Sequence, residues 1–461
     1  MTEVIREKEI KILEFDQIRS DLAGLVVSPM ARQRAEELLP SADFHQVKQW
    51  HAEAAEGRLL ALKNAFSPSG VDDPTQTLTR ARKGAVLNGV ELAALMSFIK
   101  ASNRWLRFFD DQEKAELYPI MASLSRLIDP CRPLLRELEK ALDQDGNMLD
   151  SASEALHSIR RKKLALQNKI REKLDDYLRS TTTRKYLQEA LVTIRSGRYV
   201  LPVRQEYRQY VEGVVHDQSA SGATLFIEPL PVVQMQNELT GLHRQEEQEI
   251  ERILYKLSGL AADSGDALLQ NRDLYAELDF MVARGRYALN MEGVEPELLP
   301  SADHQTRISL LEATHPLLTG EKVPLNLELG DPVRTLVVTG PNTGGKTVAL
   351  KTVGLLAVMA QCGLQIPAAR GTALAVFSTI RADIGDEQSI AQSLSTFSGH
   401  MKNIIEILEA AGPQSLVLFD ELGAGTDPSE GSALAMAILE ELKGRQALSI
   451  ATTHSNELKL F

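Results

Sequence analysis

An apolar run, Thr335-Leu336-Val337-Val338-Thr339, leads straight into Gly340-Pro341-Asn342-Thr343-Gly344-Gly345-Lys346-Thr347, and a helix-like stretch follows from Val348 to Gln361. Strand, Gly-rich loop, helix: this is the context a phosphate-binding P-loop requires. The loop turns backbone N–H groups toward phosphates, and the helix N-terminus adds partial positive charge. Lys346 is placed to reach the β- and γ-phosphates, and the Thr347 hydroxyl to sit on Mg²⁺. An ordinary Gly-rich turn needs neither the strand before it nor the helix after it.

The chain reads as α/β from about residue 305 onward. Ile308-Ser309-Leu310-Leu311 predicts a strand. Val323, Leu325, Leu327 and Leu329 alternate with polar or Pro positions, as on a half-buried strand. After the P-loop helix the pattern predicts a strand near Ala375–Ile380, a helix from Phe397 to Leu408 and a strand at Ser415–Phe419. A helix at Ser432–Leu442 and a strand at Ala447–Thr452 complete it.

Two strands end in chemistry. Ser415–Phe419 runs into Asp420 and Glu421, a Walker B element: Asp420 to hold the Mg²⁺ hydration shell, Glu421 to orient or deprotonate the attacking water. The other ends at Thr452-Thr453-His454, where a histidine can hydrogen-bond the γ-phosphate or the lytic water. Ser395, at the predicted start of a helix, suits an N-cap. It suits equally a γ-phosphate ligand, for its own subunit's nucleotide or a partner's. Gly423-Ala424-Gly425-Thr426-Asp427 reads as a polar loop after the acids. P-loop, Walker B, Ser-led helix and strand-end histidine together describe an ABC-type ATPase. A small GTPase would carry an Asn/Thr-Lys-x-Asp motif, which this sequence lacks.

The first two-thirds follow another rule. Residues 1–149 read mostly as helix, with apolar residues at mixed spacing from Glu91 to Phe109 and prolines as punctuation. Residues 150–190 contain neither Gly nor Pro and carry an apolar stripe; a second apolar stripe runs from about Val232 to Leu260. Each spans roughly 40–60 Å as a helix, and two amphipathic helices of that length pair most simply as an antiparallel coiled-coil arm. Between them Arg198–Val203, Gly213–His216 and Ala223–Ile227 predict short strands, a small sheet at the tip. Residues 266–300 return to helical patterning.

Charge is uneven. The net charge is −12, which argues against wholesale coating of DNA or a membrane, yet residues 151–210 hold fourteen Lys/Arg against six Asp/Glu. Arg160-Arg161-Lys162-Lys163 is the densest cluster, either a solvated helix face or the footprint of a phosphate backbone. No run approaches the roughly 20 uncharged residues of a membrane span. The charged N-terminus shows no secretory signal, and Cys131 and Cys362 are expected to pack as small apolar residues. The expected setting is cytoplasmic.

The ATPase motifs, Gly340–Thr347, Ser395-Thr396-Phe397, Asp420–Thr426 and Thr452-Thr453-His454, resemble those of the MutS family. The runs Arg198–Val203 and His216–Pro229 resemble the second MutS subfamily, whose members usually end in a small Smr nuclease domain. The resemblance covers essentially the whole chain. It implies a multidomain α plus α/β protein: helical core in 1–150 and 266–304, coiled-coil clamp with a β tip in 151–265, ABC-type ATPase in 305–461. It implies ATP and Mg²⁺ as cofactors, and a homodimer in which Ser395 completes the partner's site. Its arms would clamp branched DNA to suppress homologous recombination, or, alternatively, engage stalled or collided ribosomes through rRNA. Phe226-Ile227-Glu228 matches the mismatch-reading Phe-x-Glu pattern but falls on the clamp strand, so mismatch reading is not expected. The chain stops seven residues after His454, so the rest of the ATPase domain, its dimer-stabilising segment and a nuclease domain are expected to be missing from these residues.

Overall fold

Five consecutive stretches of chain build two units. The first takes residues 1–73, 101–129 and 270–461; the second takes 74–100 and 130–269. The structure, a computed structural model, describes residues 3–300, 306–340, 345–385, 396–424, 426–455 and 457–459. Both helices and sheets are present, as an α plus α/β chain requires. Among the described residues no helix is long and apolar enough to cross a membrane.

In the first unit four strands lie in the order Thr379–Asp383, Ser415–Phe419, Leu448–Thr453, Thr335–Thr339, every neighbouring pair parallel. The three leading strands are buried at every position. That pattern belongs to a sheet covered on both faces, and it explains the near-continuous apolar sequence of Ser415–Phe419. One cover is the helix Lys346–Gln361, with twelve of its sixteen side chains buried. A helix apolar all round belongs inside a core. Leu350, Leu355 and Val358 meet Leu416 and Leu418 of the sheet and Leu13, Phe15 and Ile18 of the N-terminal helices in one cluster. Gly354 is where these layers come closest: a Cβ there would lie 2.6 Å from Leu418 Cδ1 and 2.7 Å from Leu13 Cδ2. On the other face Ile404 and Ile407, of the helix Thr396–Ala410, join Leu439 and Leu442, of the helix Pro428–Gly444, against Val417 and Phe419. Asp427 starts the latter helix by accepting from Ser429 and Glu430 N–H, with Pro428 next in line. Such a cap contributes about 1 kcal/mol.

A second sheet in this unit runs Glu297–Leu299, Ala373–Ala375, Ile308–Ala313, Leu325–Leu329, with mixed pairing. It corrects the single strand expected near Ala375–Ile380. The apolar run is two strands, Ala373–Ala375 in this sheet and Thr379–Asp383 in the parallel one, with Val376–Ser378 carrying the chain across. The alternation from Val323 also overreached. Val323 is 89% exposed and the strand starts at Leu325, because Pro324 has no N–H to donate to a ladder.

The second unit is organised by two long helices, Glu154–Arg179 and Leu230–Asp263, about 39 and 51 Å long at 1.5 Å per residue. Their register is antiparallel: Ser153 Oγ donates to Glu249 (2.6 Å), while further along Arg160 Nε donates to Glu246 (2.8 Å), with Lys163 on the same carboxylate. At one end of the pair sits an antiparallel sheet in the order Thr193–Arg195, Arg198–Arg204, Thr224–Pro229, Gly213–Gln218. Leu166, Ile170 and Leu174 of the first helix and Val232 and Leu239 of the second share a core with Leu201, Val203 and Ile227 of the sheet. Glu228, 1% exposed, accepts from Arg198 (3.0 Å) and pairs with His216 (2.5 Å), so the acid of Phe226-Ile227-Glu228 is engaged inside the sheet.

Candidate functional site

Parallel strands deliver their C-terminal ends to a common edge. In this register Thr453 lies opposite Thr339, Ala451 opposite Phe419 and Phe419 opposite Asp383. The residues just beyond those ends are Gly340, the pair Asp420 and Glu421, and His454. The sequence singled out each of them, from three stretches of chain, and the topology places them along one edge.

Lys346 opens the central helix behind Gly345, whose φ of 76° is the left-handed turn glycine accepts without strain. The ammonium is buried and must find acceptors. Nζ donates to Gly340 O (2.6 Å) and, more weakly, to Thr453 O (3.4 Å), and stands 3.4 Å from His454 Nε2. One residue on, Thr347 Oγ1 donates to Asp420 Oδ2 (2.7 Å). His454 Nε2 lies 3.7 Å from Glu421 Oε1, both side chains open to solvent in part. Pro341, Asn342, Thr343, Gly344 and Ser395 lie outside the described residues.

Glu421 sits at φ 51°, a region that costs a non-glycine residue about 1–2 kcal/mol. Two hydrogen bonds from the neighbouring strand hold the turn: Glu421 N–H to Thr452 Oγ1 (2.8 Å) and Leu422 N–H to Thr452 O (2.9 Å). At about 1 kcal/mol each they offset the strain. Strain kept in this way, beside a buried lysine and two carboxylates, marks a site rather than a defect.

Residues 336–461 match the profile described as MutS domain V. Beyond that segment the chain is similar to curated proteins named Endonuclease MutS2. That of Symbiobacterium thermophilum is 47% identical over 456 residues, covering 99% of this chain and 56% of the relative. That of Geobacillus sp. strain WCH70 is 46% identical over 455 residues (98% and 58%), and that of Shouchella clausii 47% over 457 (98% and 58%). The chain belongs to the second subfamily of the MutS family. It spans a little over half the length of the curated relatives it matches.

Two features of this MutS-family chain escaped the sequence reading. The first is Thr452, whose buried hydroxyl accepts from Glu421 N–H and donates to Asp420 Oδ1 (2.5 Å). With Thr347 on the other oxygen, both oxygens of the Asp420 carboxylate carry a hydroxyl donor. The signal was available in Thr452-Thr453-His454: a threonine at the end of an apolar strand, in line with Asp420 on the next one. The second is Asp383, at the end of the strand Thr379–Asp383. Its carboxylate accepts from His400 Nδ1 (2.9 Å) and Asn403 Nδ2 (2.8 Å), and its carbonyl accepts from Asp420 N–H (2.8 Å). The start of the helix Thr396–Ala410 is thereby tied to the same edge.

The far end of the central helix is also held. His51 Nε2 meets Ala360 O at 2.7 Å. Burial favours the neutral ring and lowers the pKa from 6.5 to about 4, against the pull of the Ala360 carbonyl. The basic cluster of the second unit is half consumed internally: Arg160 and Lys163 bind Glu246, while Arg161 and Lys162 face solvent. Glu249, held by the Arg252 guanidinium and then by the Ser153 hydroxyl, has its pKa lowered from 4.5 to about 2.

Proposed function

We propose that residues 305–461 are an ABC-type P-loop ATPase that binds ATP with Mg²⁺ and hydrolyses it, and that the cycle opens and closes a clamp, residues 151–265, on branched nucleic acid. The helical segments 1–150 and 266–304 form the helical core. The observation that carries this reading is the Asp420 carboxylate fixed by the Thr347 and Thr452 hydroxyls, since Thr347 follows Lys346 and Asp420 precedes Glu421. The donors fit the cofactor: Thr347 and Asp420 offer only oxygen, the ligand type a small hard cation takes.

Each side chain then has a task. Lys346 leaves the Gly340 carbonyl for the β- and γ-phosphates, and the loop from Gly340 to Thr347, Pro341 excepted, supplies backbone N–H groups. Thr347 and Asp420 would hold the Mg²⁺, which when bound would neutralise negative charge on the phosphates. Glu421 orients and deprotonates the attacking water, and the left-handed turn aims its carboxylate. His454, near both Lys346 and Glu421, hydrogen-bonds the γ-phosphate or that water. Ser395 completes the site of a second copy, so two chains form two composite sites. In this reading the protein suppresses recombination by gripping branched DNA.

The test is steady-state ATP hydrolysis together with binding to a four-way junction at matched salt, with and without nucleotide. Hydrolysis should vanish in Glu421→Gln, and junction affinity should change with nucleotide. Pelleting with ribosomes runs in parallel. Nucleotide-dependent pelleting without any nucleotide-dependent change in junction binding would replace DNA by the ribosome as the target.

A further inference from the structure

We propose that the antiparallel sheet of the second unit carries a site for an unpaired nucleobase of a single-stranded nucleic acid. The inference rests on the nucleic-acid reading above and names the part of the strand that this surface takes.

Three tyrosines come together from two short turns, Thr183–Tyr186 and Gln205–Tyr210. Tyr186 and Tyr210 stack, with ring centroids 5.2 Å apart and planes 18° apart; Tyr207 lies 5.3 Å from Tyr186 and 6.3 Å from Tyr210. Tyr186 and Tyr207 are half-buried against the core that the sheet shares with the helices, so the stack has a fixed base. Tyr210 is 58% exposed. If its purpose were only to fill the core, its ring would be inside. A fixed aromatic stack ending in an open ring offers a π-face for which every base has a counterpart.

Beside the stack in sequence is a cleft of about 480 Å³ lined by Gln188, Arg204, Gln205, Glu206 and Ala223. Gln188 follows Tyr186 by two residues, and Gln205 and Glu206 directly precede Tyr207. Among the described residues the side-chain amides of Gln188 and Gln205 have no hydrogen-bond partner, and neither does the guanidinium of Arg204. An amide presents a donor and an acceptor together, the pairing needed to meet the edge of an unpaired base. Glu206 accepts from a base N–H, the ring N–H of thymine or uracil included, and repels phosphate. Arg184 and Lys185, exposed next to Tyr186, supply the charge for the backbone. The polarity therefore sorts: base toward the stack and cleft, phosphates toward the two cations. A duplex keeps its bases stacked and its edges paired, so it cannot use this arrangement. A protein partner would meet tyrosine and arginine as readily, but it gives no reason for two unengaged amides lining a cleft next in sequence to the stacked tyrosines.

The experiment uses the full chain, fluorescein-labelled oligo-dT and oligo-U of twenty nucleotides and a matched duplex, all at one salt concentration. Tyr210→Ala, on an exposed ring, should weaken both single strands roughly ten- to hundredfold and leave the duplex unchanged; Tyr210→Phe should keep wild-type affinity, since stacking does not need the hydroxyl. Loss on one of the two oligonucleotides alone identifies DNA or RNA as the ligand. Unchanged single-strand affinity in Tyr210→Ala, or an equal loss on the duplex, overturns the proposal. Nucleotide-dependent junction binding that survives in Tyr210→Ala shows that the clamp reading stands even where this site does not.

Discussion

The parallel sheet of the first unit and the antiparallel sheet of the second cover their strands to different extents: in the first only Thr335–Thr339 has no buried residue, in the second both Thr193–Arg195 and Gly213–Gln218 have none. Ser415–Phe419 and Leu448–Thr453 are buried at every position, whereas Gly213–Gln218 has no buried residue at all. A sheet covered on both faces keeps its faces for packing and has only its ends for chemistry. A sheet covered on one face has the other face free, and its turns lift side chains into solvent. One site is therefore an edge, built from residues that follow strands, and the other is a surface. In the first unit, changes in chemistry and changes in stability should separate by position: strand ends for one, strand middles for the other.

The largest effect should come from Glu421→Gln, which removes a carboxylate from an end without touching the core. ATP hydrolysis is expected to fall about 10²–10⁴-fold, with nucleotide affinity and the melting midpoint unchanged. A drop in the melting midpoint alongside the lost rate would break the separation. Acid should divide the units next. His51, with a folded pKa of about 4 against 6.5, contributes stability that is complete above pH 6.5 and lost as pH falls to about 4, on the order of 3 kcal/mol. Glu249, lowered from 4.5 to about 2, contributes stability that is lost only between those values. Hydrogen exchange, corrected for intrinsic rates, should rise in the helix Lys346–Gln361 between pH 6.5 and 4 while the helices Glu154–Arg179 and Leu230–Asp263 stay protected. Simultaneous loss in both would remove the contrast.

Thr452→Val is the sharper probe of the edge. It keeps the shape and deletes the hydroxyl that serves Asp420 and Glu421, so the Mg²⁺ concentration for half-maximal hydrolysis should rise about 10–100-fold. Mn²⁺ binding with a non-hydrolysable nucleotide, followed by electron paramagnetic resonance, should weaken in parallel, and Thr452→Ser should restore both. Equal losses in the serine variant would move the effect from the hydroxyl to packing. The smallest change is expected on the open face: Val214→Thr, at a side chain 43% exposed, should shift the urea midpoint by the equivalent of no more than about 0.5 kcal/mol.

What could be read from the sequence follows the same division. Ser415–Phe419 was legible because burial at every position writes itself as an apolar run with the acids immediately after it; Thr335–Thr339, half-buried throughout, and the helix Lys346–Gln361 were legible from the apolar residues on either side of the Gly-rich loop, and His454 from the strand Leu448–Thr453 before it. The long helices were legible from their stripes. The strands Thr193–Arg195 and Glu297–Leu299 were not: each has three residues and owes its existence to the strand beside it. The break between Ala373–Ala375 and Thr379–Asp383 was hidden because Val376 and Phe377 are as apolar as the strands they separate. Arg160 and Lys163 read as a free basic face because their acid, Glu246, lies more than eighty residues away. The role of Thr452 depends on which strand lies next to which, and strand order leaves no local mark.

The central helix is covered by the beginning of the chain. Leu13 closes over Gly354, Val4 O accepts from Ile380 N–H (2.8 Å) and from the Arg381 guanidinium (3.0 Å), and Ile5, Ile10 and Phe15 complete the same core. Val4 thus receives partners that lie more than 370 positions further along the chain. On a ribosome adding about 5–20 residues per second, Val4 waits on the order of 20–80 s for residue 380. Through that interval the apolar side chains of the first helices are uncovered, a natural handle for chaperones. Substitutions there should lower the yield of folded protein made in cells more than they lower the stability of the molecules that finish.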